Sequence, residues 1–402
     1  MAEYKKYKRI FGLVLDSVGA GEAPDAKDFD DEGADTLGHL GSFFKGDLKL
    51  PNLQKLGVSN MYADGIPNLP KMDQPLGYYG KMREVSVGVD SLEGHWEMMG
   101  LPVMFHFDHF PDGFPDDLLD KISAYAHRGI IKEANKPISG TTVIAEYGEE
   151  QLKTGDLIIY TSGDSVLQIA ANTAVIPLEE LYDICRYARS LVNGPEYRLG
   201  RVIARPYVGD DAEHFERTSD RHDFAFEPYD ATALDCIQEA GFKTIGIGKI
   251  NDIFTGRGID EGFHNDSDMD GMDHVLTAME EDFTGFCFTN LVDFDAKFGH
   301  RRNAKGYGEN LMNVDTRIGE VMDQMHDDDL LMITADHGND PTYKGTDHTR
   351  ELVPLLVYSP SMTETAPLGT RDTYADFGAT ILDNFNLLTD EDKGTSFLDT
   401  LN

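Results

Sequence analysis

The chain has 402 residues, of which 72 are acidic and 35 basic, and its formal net charge at pH 7 is −37. The repulsion that this charge creates argues against nucleic acid or an anionic membrane as a partner. A hydrophobic fraction of 40% is typical of a soluble globular protein, and the length favours two domains, a large one and an insertion.

The compartment is predicted from apolar runs and cysteines. The apolar run 11–15 is cut off by Asp16, which makes it too short for a signal peptide, and no run is long enough to span a membrane. The three cysteines, Cys185, Cys236 and Cys287, lie far apart in the sequence. We therefore expect a reduced, cytoplasmic protein.

The first predicted element is an apolar strand over 7–16 that ends in a carboxylate and a glycine-containing turn. A short helix over 51–57 follows, with Pro first and Gly last. Residues 91–99 are predicted to form a helix that starts at Ser91, where free N–H groups and the helix dipole favour a phosphate. Ser91 is thus a candidate nucleophile, and the alternative is an ordinary helix N-cap.

The pattern changes from about residue 103, which predicts an inserted domain. Phenylalanines alternate with polar residues over 105–110, and this alternation is typical of a half-buried strand. Strands are predicted at 157–161 and 200–206, and an amphipathic helix at 178–191.

The rest of the chain alternates helices and strands, as in a doubly wound sheet. We predict an α/β fold whose core, residues 1–102 and 225–402, is a doubly wound, mostly parallel sheet, with an inserted α+β cap domain at 103–224. The core elements predicted after the insertion are helices at 231–240, 270–280, 312–325 and 372–385, and strands at 243–247, 285–295, 330–333 and 352–358.

Three of the predicted core strands end in carboxylates, and histidines follow closely in the sequence. Ligands bind at the carboxyl ends of the strands of an open α/β sheet. Two divalent ions about 4 Å apart need about six oxygen and nitrogen donors to clamp a phosphoryl group. For a single Asp-His pair the alternative is a strand-end turn whose Asp caps the next helix. The candidate ligands are Asp16, Asp295, His300, Asp336, His337 and His348.

Several longer stretches carry a resemblance that covers nearly the whole chain. They are VLDSVG, GHWEMMG, YTSGDSVLQIAA, RVIARPYVG, RTSDRHDF, NLVDFDAKFGHRR and ITADHGNDPTYKGTDHTRE. Together they resemble the phosphopentomutase family of the alkaline phosphatase superfamily. ADHGND with GTDHTR is typical of the superfamily, whereas the GHWE and RHD stretches are typical of the family.

The resemblance implies an isomerase that acts on small-molecule pentose phosphates and interconverts ribose or deoxyribose 1-phosphate with the 5-phosphate. It implies two divalent metal ions, with manganese as the usual metal, although nitrogen and oxygen ligands also suit zinc. It further implies a sugar bisphosphate as activator and Ser91 as the carrier of the phosphoryl group. On matching positions, Asp16, Asp336 and His337 would bind one ion, and Asp295, His300 and His348 the other.

A phosphate substrate needs local positive charge on so acidic a protein. Arg205 and Arg221 in the cap, and Lys249 after a core strand, are candidates to supply it. Ser162 and Asp164, in one turn of the cap, are candidates to bind the sugar. For each residue the alternative is a surface ion pair or a plain turn position.

The segment around Ser91 departs from the pattern expected of the family, which is GKDT followed by two variable residues and GHWE. Val89 stands in place of Lys, Ser91 in place of Thr, and Glu93 adds an acidic group. We expect a phosphoenzyme that forms less readily and an altered sugar preference, with neutral drift as the alternative.

Two other classes of function remain open on the sequence alone. One is a metal-dependent phosphohydrolase or a phosphoglycerate-type mutase on the same core. The other is an acidic metal-binding protein without catalysis, which would have many weak oxygen-only sites rather than histidine-containing ones. The sequence leaves the oligomeric state unknown.

Overall fold

The computed structural model describes residues 3–402, and they divide into two compact units. One unit comprises the residues up to Phe105 together with Asp230–Asn402, and the other is His106–Tyr229. Within the described residues, every helix is too short or too polar to cross a membrane.

The first part of the larger unit supplies a central strand, a strand next to one edge of the sheet and three helices. In chain order they are β1 (Arg9–Leu15), α1 (Thr36–Phe44), α2 (Pro51–Leu56), β2 (Tyr78–Met82) and α3 (Ser91–Met98).

The smaller unit has three helices and a five-stranded sheet. β4 pairs in parallel with β5, and the other pairings are antiparallel. Apolar side chains pack on both faces of the sheet. The elements are α4 (Asp116–Ala126), α5 (Gly140–Thr154), β3 (Ile158–Tyr160), β4 (Val166–Asn172), α6 (Leu178–Leu191), β5 (Arg201–Val208), β6 (Glu216–Arg217) and β7 (His222–Ala225).

The chain then returns to the larger unit, where helices and strands alternate until β11. A π-helical turn, Phe294–Gly299, interrupts the pattern after β10. The remaining elements are α7 (Ala233–Glu239), β8 (Lys243–Ile247), α8 (Ile250–Ile253), β9 (Glu261–Phe263), α9 (Asp268–Met279), β10 (Gly285–Leu291), α10 (Ala304–Gln324), β11 (Asp329–Thr334), β12 (Val353–Tyr358), β13 (Pro367–Arg371) and α11 (Ala375–Asn384).

The strands of the larger unit form one eight-stranded sheet in the order β13-β2-β12-β11-β1-β10-β8-β9. β1 pairs in parallel with β10 on one side and with β11 on the other, whereas β12 runs antiparallel to both of its neighbours. The predicted α/β class with a mostly parallel sheet is confirmed.

The three central strands, β1, β10 and β11, are buried along their whole length, which explains their continuous apolar sequences. Leu15 lies opposite Leu291, and Val14 opposite Thr334. The segments that follow the three strands therefore emerge side by side at one edge of the sheet.

The prediction of a half-buried strand at 105–110 is wrong, because these residues belong to no helix or strand. The phenylalanines alternate for another reason. Phe107 packs edge-on against Phe226 with ring centroids 5.2 Å apart, and Phe110 lies 5.0 Å from Phe114. The rings anchor an irregular segment to the smaller unit instead of lining a sheet.

The helix predicted at 312–325 begins earlier, at Ala304, after the N-cap Asn303. Two glycines in its first turns, Gly306 and Gly308, hide this start because glycine lowers helix propensity. A Cβ on Gly308 would lie 2.2 Å from Cε2 of Phe44. The glycine therefore permits close packing against the end of α1.

Candidate functional site

Three carboxylates lie at the carboxyl ends of the three central strands. Asp16 follows β1 directly, Asp336 follows β11, and Asp295 lies in the π-helical turn after β10. Because β1 lies between β10 and β11, the carboxylates converge at one edge of the sheet, as ligand sites do in open α/β sheets.

Asp16, Asp336 and His337 form a first cluster, in which each residue is fully buried. His337 Nε2 is 3.6 Å from Asp16 Oδ1 and 3.5 Å from Asp336 Oδ2. One ligand atom from each residue lies within 4.8 Å of the others, so these atoms can reach a common cation.

Asp295, His300 and His348 form a second cluster of the same kind. Asp295 Oδ2 is 3.0 Å from His300 Nε2, and Asp295 Oδ1 is 3.5 Å from His348 Nε2. The rings of His337 and His348 stack with centroids 3.7 Å apart, so the two clusters adjoin one another.

The π-helical turn explains how Asp295 and His300 share a face although they are five positions apart. The main-chain N–H of His300 donates to the carbonyl oxygen of Asp295 at 3.3 Å, which is the i→i+5 bond of a π-helix. In an α-helix, residues five positions apart point in different directions. Here they point to the same place.

The hydrogen bonds of the three histidines fix which ring nitrogen faces the carboxylates. Each Nδ1 donates to a main-chain carbonyl oxygen, so in the neutral ring each Nε2 carries the lone pair that can bind a metal. The acceptors are Gly338 O at 3.0 Å from His337, Thr346 O at 2.7 Å from His300 and Val89 O at 2.5 Å from His348.

Several buried polar atoms of the clusters have no hydrogen-bond partner, namely Asp16 Oδ1, Asp336 Oδ2 and His348 Nε2. Such atoms are costly unless a ligand satisfies them. Burial and, after it, repulsion from Asp336 raise the pKa of the Asp16 carboxyl well above its ordinary value. A donor set of carboxylates and imidazoles with this surplus of negative charge fits divalent cations.

Ser91 lies beside the first cluster. It is the first residue of α3, and Asp90, not Ser91, is the N-cap, so the alternative that Ser91 merely caps the helix is wrong. Ser91 Oγ is 3.2 Å from His337 Nε2. A hydroxyl at a helix N-terminus and next to a candidate cation site is placed for phosphoryl transfer.

Sequence reasoning missed three residues that orient the ligands. Asn290 Nδ2 donates to Asp16 Oδ2 at 3.0 Å and lies 3.2 Å from His95 Nε2, while His95 Nδ1 donates to the Ser91 carbonyl oxygen at 2.7 Å. Asn339 Nδ2 donates to Asp295 Oδ1 at 2.7 Å. The available signal for Asn290 was a buried amide near the end of an apolar strand.

Within the smaller unit, Ser162, Asp164, Arg205 and Arg221 line one cavity of about 240 Å³. Arg201, which sequence reasoning missed, lines it as well. Lys249 belongs to the larger unit, where its Nζ is 4.0 Å from Asp16 Oδ2.

The charges of this cavity are partly balanced by two acidic residues, Asp164 in its lining and Asp223 beside two of the arginines. Asp223 accepts two hydrogen bonds of 2.7 Å from Arg221 and lies 3.7 Å from Arg201. Arg205 donates from Nε to Gln168 Oε1 at 3.1 Å. Three guanidinium groups against two carboxylates leave the cavity with a surplus of positive charge, which suits a phosphate.

The chain is similar over nearly its whole length to known proteins. A model described as the metalloenzyme superfamily matches residues 8–389. The phosphopentomutase of Levilactobacillus brevis is 64% identical over 393 residues, which cover 98% of this chain and 99% of that protein. The phosphopentomutase of Limosilactobacillus reuteri (strain DSM 20016) is 62% identical over 392 residues, which cover 97% and 98%.

Solved structures resemble the chain more distantly. A phosphoglycerate mutase of Leishmania mexicana is 12% identical and covers 98% of each chain, with a TM-score of 0.49. A protein of Pyrococcus horikoshii, PH0037, is 14% identical and covers 96% of this chain and 98% of that one, with a TM-score of 0.48.

Proposed function

Because the chain belongs to the phosphopentomutase family within the metalloenzyme superfamily, we propose that it interconverts the 1-phosphates and 5-phosphates of ribose and 2-deoxyribose. The observation that carries the proposal is the pair of adjoining clusters with the Ser91 hydroxyl beside the first of them. Two cations that hold a phosphate and a nucleophile next to one another stabilise the attacking and leaving oxygens of phosphoryl transfer.

The six ligands divide between two divalent ions as the clusters divide. Asp16, Asp336 and His337 would hold one, and the other would lie among Asp295, His300 and His348. Manganese is the expected metal, and zinc is the alternative that the same donors allow. When bound, the ions supply positive charge that favours the ionised hydroxyl and stabilises the transferred phosphoryl group.

Ser91 is the group that takes and returns the phosphoryl group. The bond between Ser91 Oγ and phosphorus forms while a P–O bond of the activator, a sugar bisphosphate, breaks. The proton of the Ser91 hydroxyl passes to the sugar oxygen that leaves. Transfer from Ser91 to the free hydroxyl of a pentose monophosphate gives a bisphosphate, and return of its other phosphoryl group to Ser91 completes the isomerisation. Net charge and atoms balance without hydrolysis.

The test separates a mutase from a phosphohydrolase on the same metal centre. The protein is incubated with manganese, a trace of sugar bisphosphate and either ribose 5-phosphate or 2-deoxyribose 5-phosphate. We expect the 1-phosphate to accumulate to an equilibrium, with no matching release of inorganic phosphate. Stoichiometric release of phosphate would instead indicate hydrolysis, and no reaction with any divalent metal would indicate a metal-binding protein.

The cavity of the smaller unit is proposed to bind the sugar phosphate. Ser162 and Asp164 would contact sugar hydroxyls. The phosphate would be bound by the three arginines of the lining, Arg201, Arg205 and Arg221. This assignment follows from the positive charge of the cavity and from its size, because a few hundred Å³ suits a small ligand.

Arg205→Gln is expected to raise KM for ribose 5-phosphate by about 10- to 100-fold, since a hydrogen bond to a charged group contributes about 1.5–3 kcal/mol. The maximal rate should change less than KM. Arg186→Gln is the matched control, because Arg186 lies exposed on α6 of the same unit and pairs with Asp183 on that helix. An unchanged KM in Arg205→Gln would remove Arg205 from the site.

The departures around Ser91 are proposed to alter sugar preference. Val89 lines a small cavity together with His300, Asp347 and His348, so a longer side chain at 89 would enter the space beside the second cluster. Burial and, after it, the charge of Asp90 raise the pKa of Glu93 to about 7. Glu93 is therefore only partly ionised at neutral pH.

Val89→Lys is expected to change the ratio of kcat/KM between ribose 5-phosphate and 2-deoxyribose 5-phosphate by about three- to tenfold, the effect of one charged contact. Steady-state kinetics with both sugars measure the ratio. Val87→Lys, two residues earlier in the same loop, is the control. If Val89→Lys leaves the ratio as it is, the departure at 89 has no role in specificity.

A further inference from the structure

Arg350 is buried, with 2% of its surface exposed, and its guanidinium group lies between two carboxylates. It donates to Glu84 Oε2 at 2.8 Å and twice to Asp25 Oδ2, at 3.2 and 2.9 Å. Two further bonds go to main-chain carbonyl oxygens, that of Gly88 at 2.8 Å and that of Glu84 at 3.0 Å. One side chain thus ties four groups together.

The bond to Gly88 concerns the segment that leads into Ser91. Residues 83–90 belong to no helix or strand, so contacts with other segments set their conformation. His348 donates from Nδ1 to the next carbonyl oxygen, that of Val89. Two neighbouring carbonyls before Ser91 are therefore held by two side chains of one segment, His348 and Arg350.

Gly88 is also packed tightly against the first turn of α3. A Cβ on Gly88 would lie 1.9 Å from Glu93 Oε2, and Glu93 is 6% exposed. Interiors this dense transmit displacement. A shift of the Gly88 main chain therefore moves the turn that carries Ser91.

We propose that Arg350 is a positioning residue for phosphoryl transfer, which fixes the Gly88 carbonyl and thereby holds Ser91 Oγ within reach of His337 Nε2. The inference rests on the proposed role of Ser91 as nucleophile. Arg350 acts through the main chain rather than on the substrate. Lysine cannot replace it, because a single ammonium group cannot reproduce the planar set of donors that meets two carboxylates and two carbonyls.

Arg9 provides a matched control in the same unit. It is 3% exposed, forms a two-bonded ion pair with Asp329 and donates to the carbonyl oxygens of Met279 and Glu281 at 2.7 and 2.9 Å. It is the first residue of β1, whereas the metal clusters lie beyond the other end of that strand. Arg9→Lys thus makes a similar structural change away from Ser91.

The experiment measures the rate at which Ser91 is phosphorylated by a sugar bisphosphate in manganese-loaded enzyme, by quenched-flow sampling and mass spectrometry. Metal content and the melting temperature are recorded for each protein. We expect Arg350→Lys to slow phosphorylation at least about tenfold at unchanged metal content. Arg9→Lys should lower the melting temperature about as much as Arg350→Lys does, but its phosphorylation rate should stay within about twofold of the wild-type rate.

A second variant covers the case in which Arg350→Lys fails to fold. Asp25→Asn weakens the outer contact of Arg350 and leaves Glu84 to balance its charge, and it should slow phosphorylation about three- to tenfold. If Arg350→Lys and Asp25→Asn both keep the wild-type rate, or if Arg9→Lys slows phosphorylation as much as Arg350→Lys does, this inference is overturned and the proposed function is not affected. If the wild type itself gains no phosphoryl group on Ser91, the proposed function fails, and the inference fails with it.

Discussion

Ser91→Ala is expected to lose at least about a thousandfold in mutase turnover, which corresponds to about 4 kcal/mol of transition-state stabilisation. The variant removes the hydroxyl that would accept the phosphoryl group but little else. The Ser91 hydroxyl forms a side-chain hydrogen bond with His337 Nε2, whose loss costs little stability. The melting temperature of the variant should therefore stay close to that of the wild type.

Two further variants make the Ser91 result specific. Ser91→Thr keeps a hydroxyl and should retain a substantial part of the turnover, although β-branching restricts the χ1 rotamer. Ser42→Ala removes a hydroxyl that bonds to the Gly38 carbonyl oxygen within α1, and it should leave turnover unchanged. Near-normal turnover in Ser91→Ala would mean that another group accepts the phosphoryl group.

Asp336→Asn is expected to lose at least about a thousandfold in activity, because it removes a charged ligand from the first cluster. Folding of the metal-free protein should not suffer. The Oδ1 atom that accepts the Ser17 N–H at 3.0 Å remains, and relief of the repulsion of Asp16 offsets the lost attraction of the Asp336 charge to His337 and His95. The metal-free variant should therefore melt at a temperature close to that of the metal-free wild type.

Asp329→Asn is the control, because Asp329 begins β11 whereas Asp336 follows the end of that strand. It breaks the buried ion pair with Arg9, a change that costs about 3–5 kcal/mol, and it should leave metal binding intact. Calorimetric titration with manganese and thermal melts distinguish the two variants. Tight binding of two ions by Asp336→Asn would contradict the two-cluster assignment.

The core could be predicted because its sequence signals are local. The apolar runs of β1, β10 and β11 end in Asp16, Asp295 and Asp336, and parallel strands bring their carboxyl ends together. The irregular parts could not be predicted. Phe107 and Phe110 alternate like a strand but pack against rings distant in sequence, and no local pattern distinguishes the two arrangements.

The candidate site shows the same division. The candidate ligands were predicted from residue type and position, but the π-helical turn that lets Asp295 and His300 face one point leaves no periodicity in the sequence. His95 and Asn290 were missed because their roles depend on contacts between residues far apart in the chain: Asn290 donates to Asp16 and lies 3.2 Å from His95 Nε2. Arg350 was missed because its partners come from segments far apart in the chain.

Transfer of a labelled phosphoryl group from the protein to a sugar tests the central claim most directly. The protein is first labelled by a sugar bisphosphate that carries isotopic phosphorus, the label is located by mass spectrometry, and unlabelled ribose 5-phosphate is then added with manganese. We predict that the label lies on Ser91 and passes into ribose bisphosphate and ribose 1-phosphate. A label located on another residue, or one released as inorganic phosphate without entering the sugar, would contradict the account.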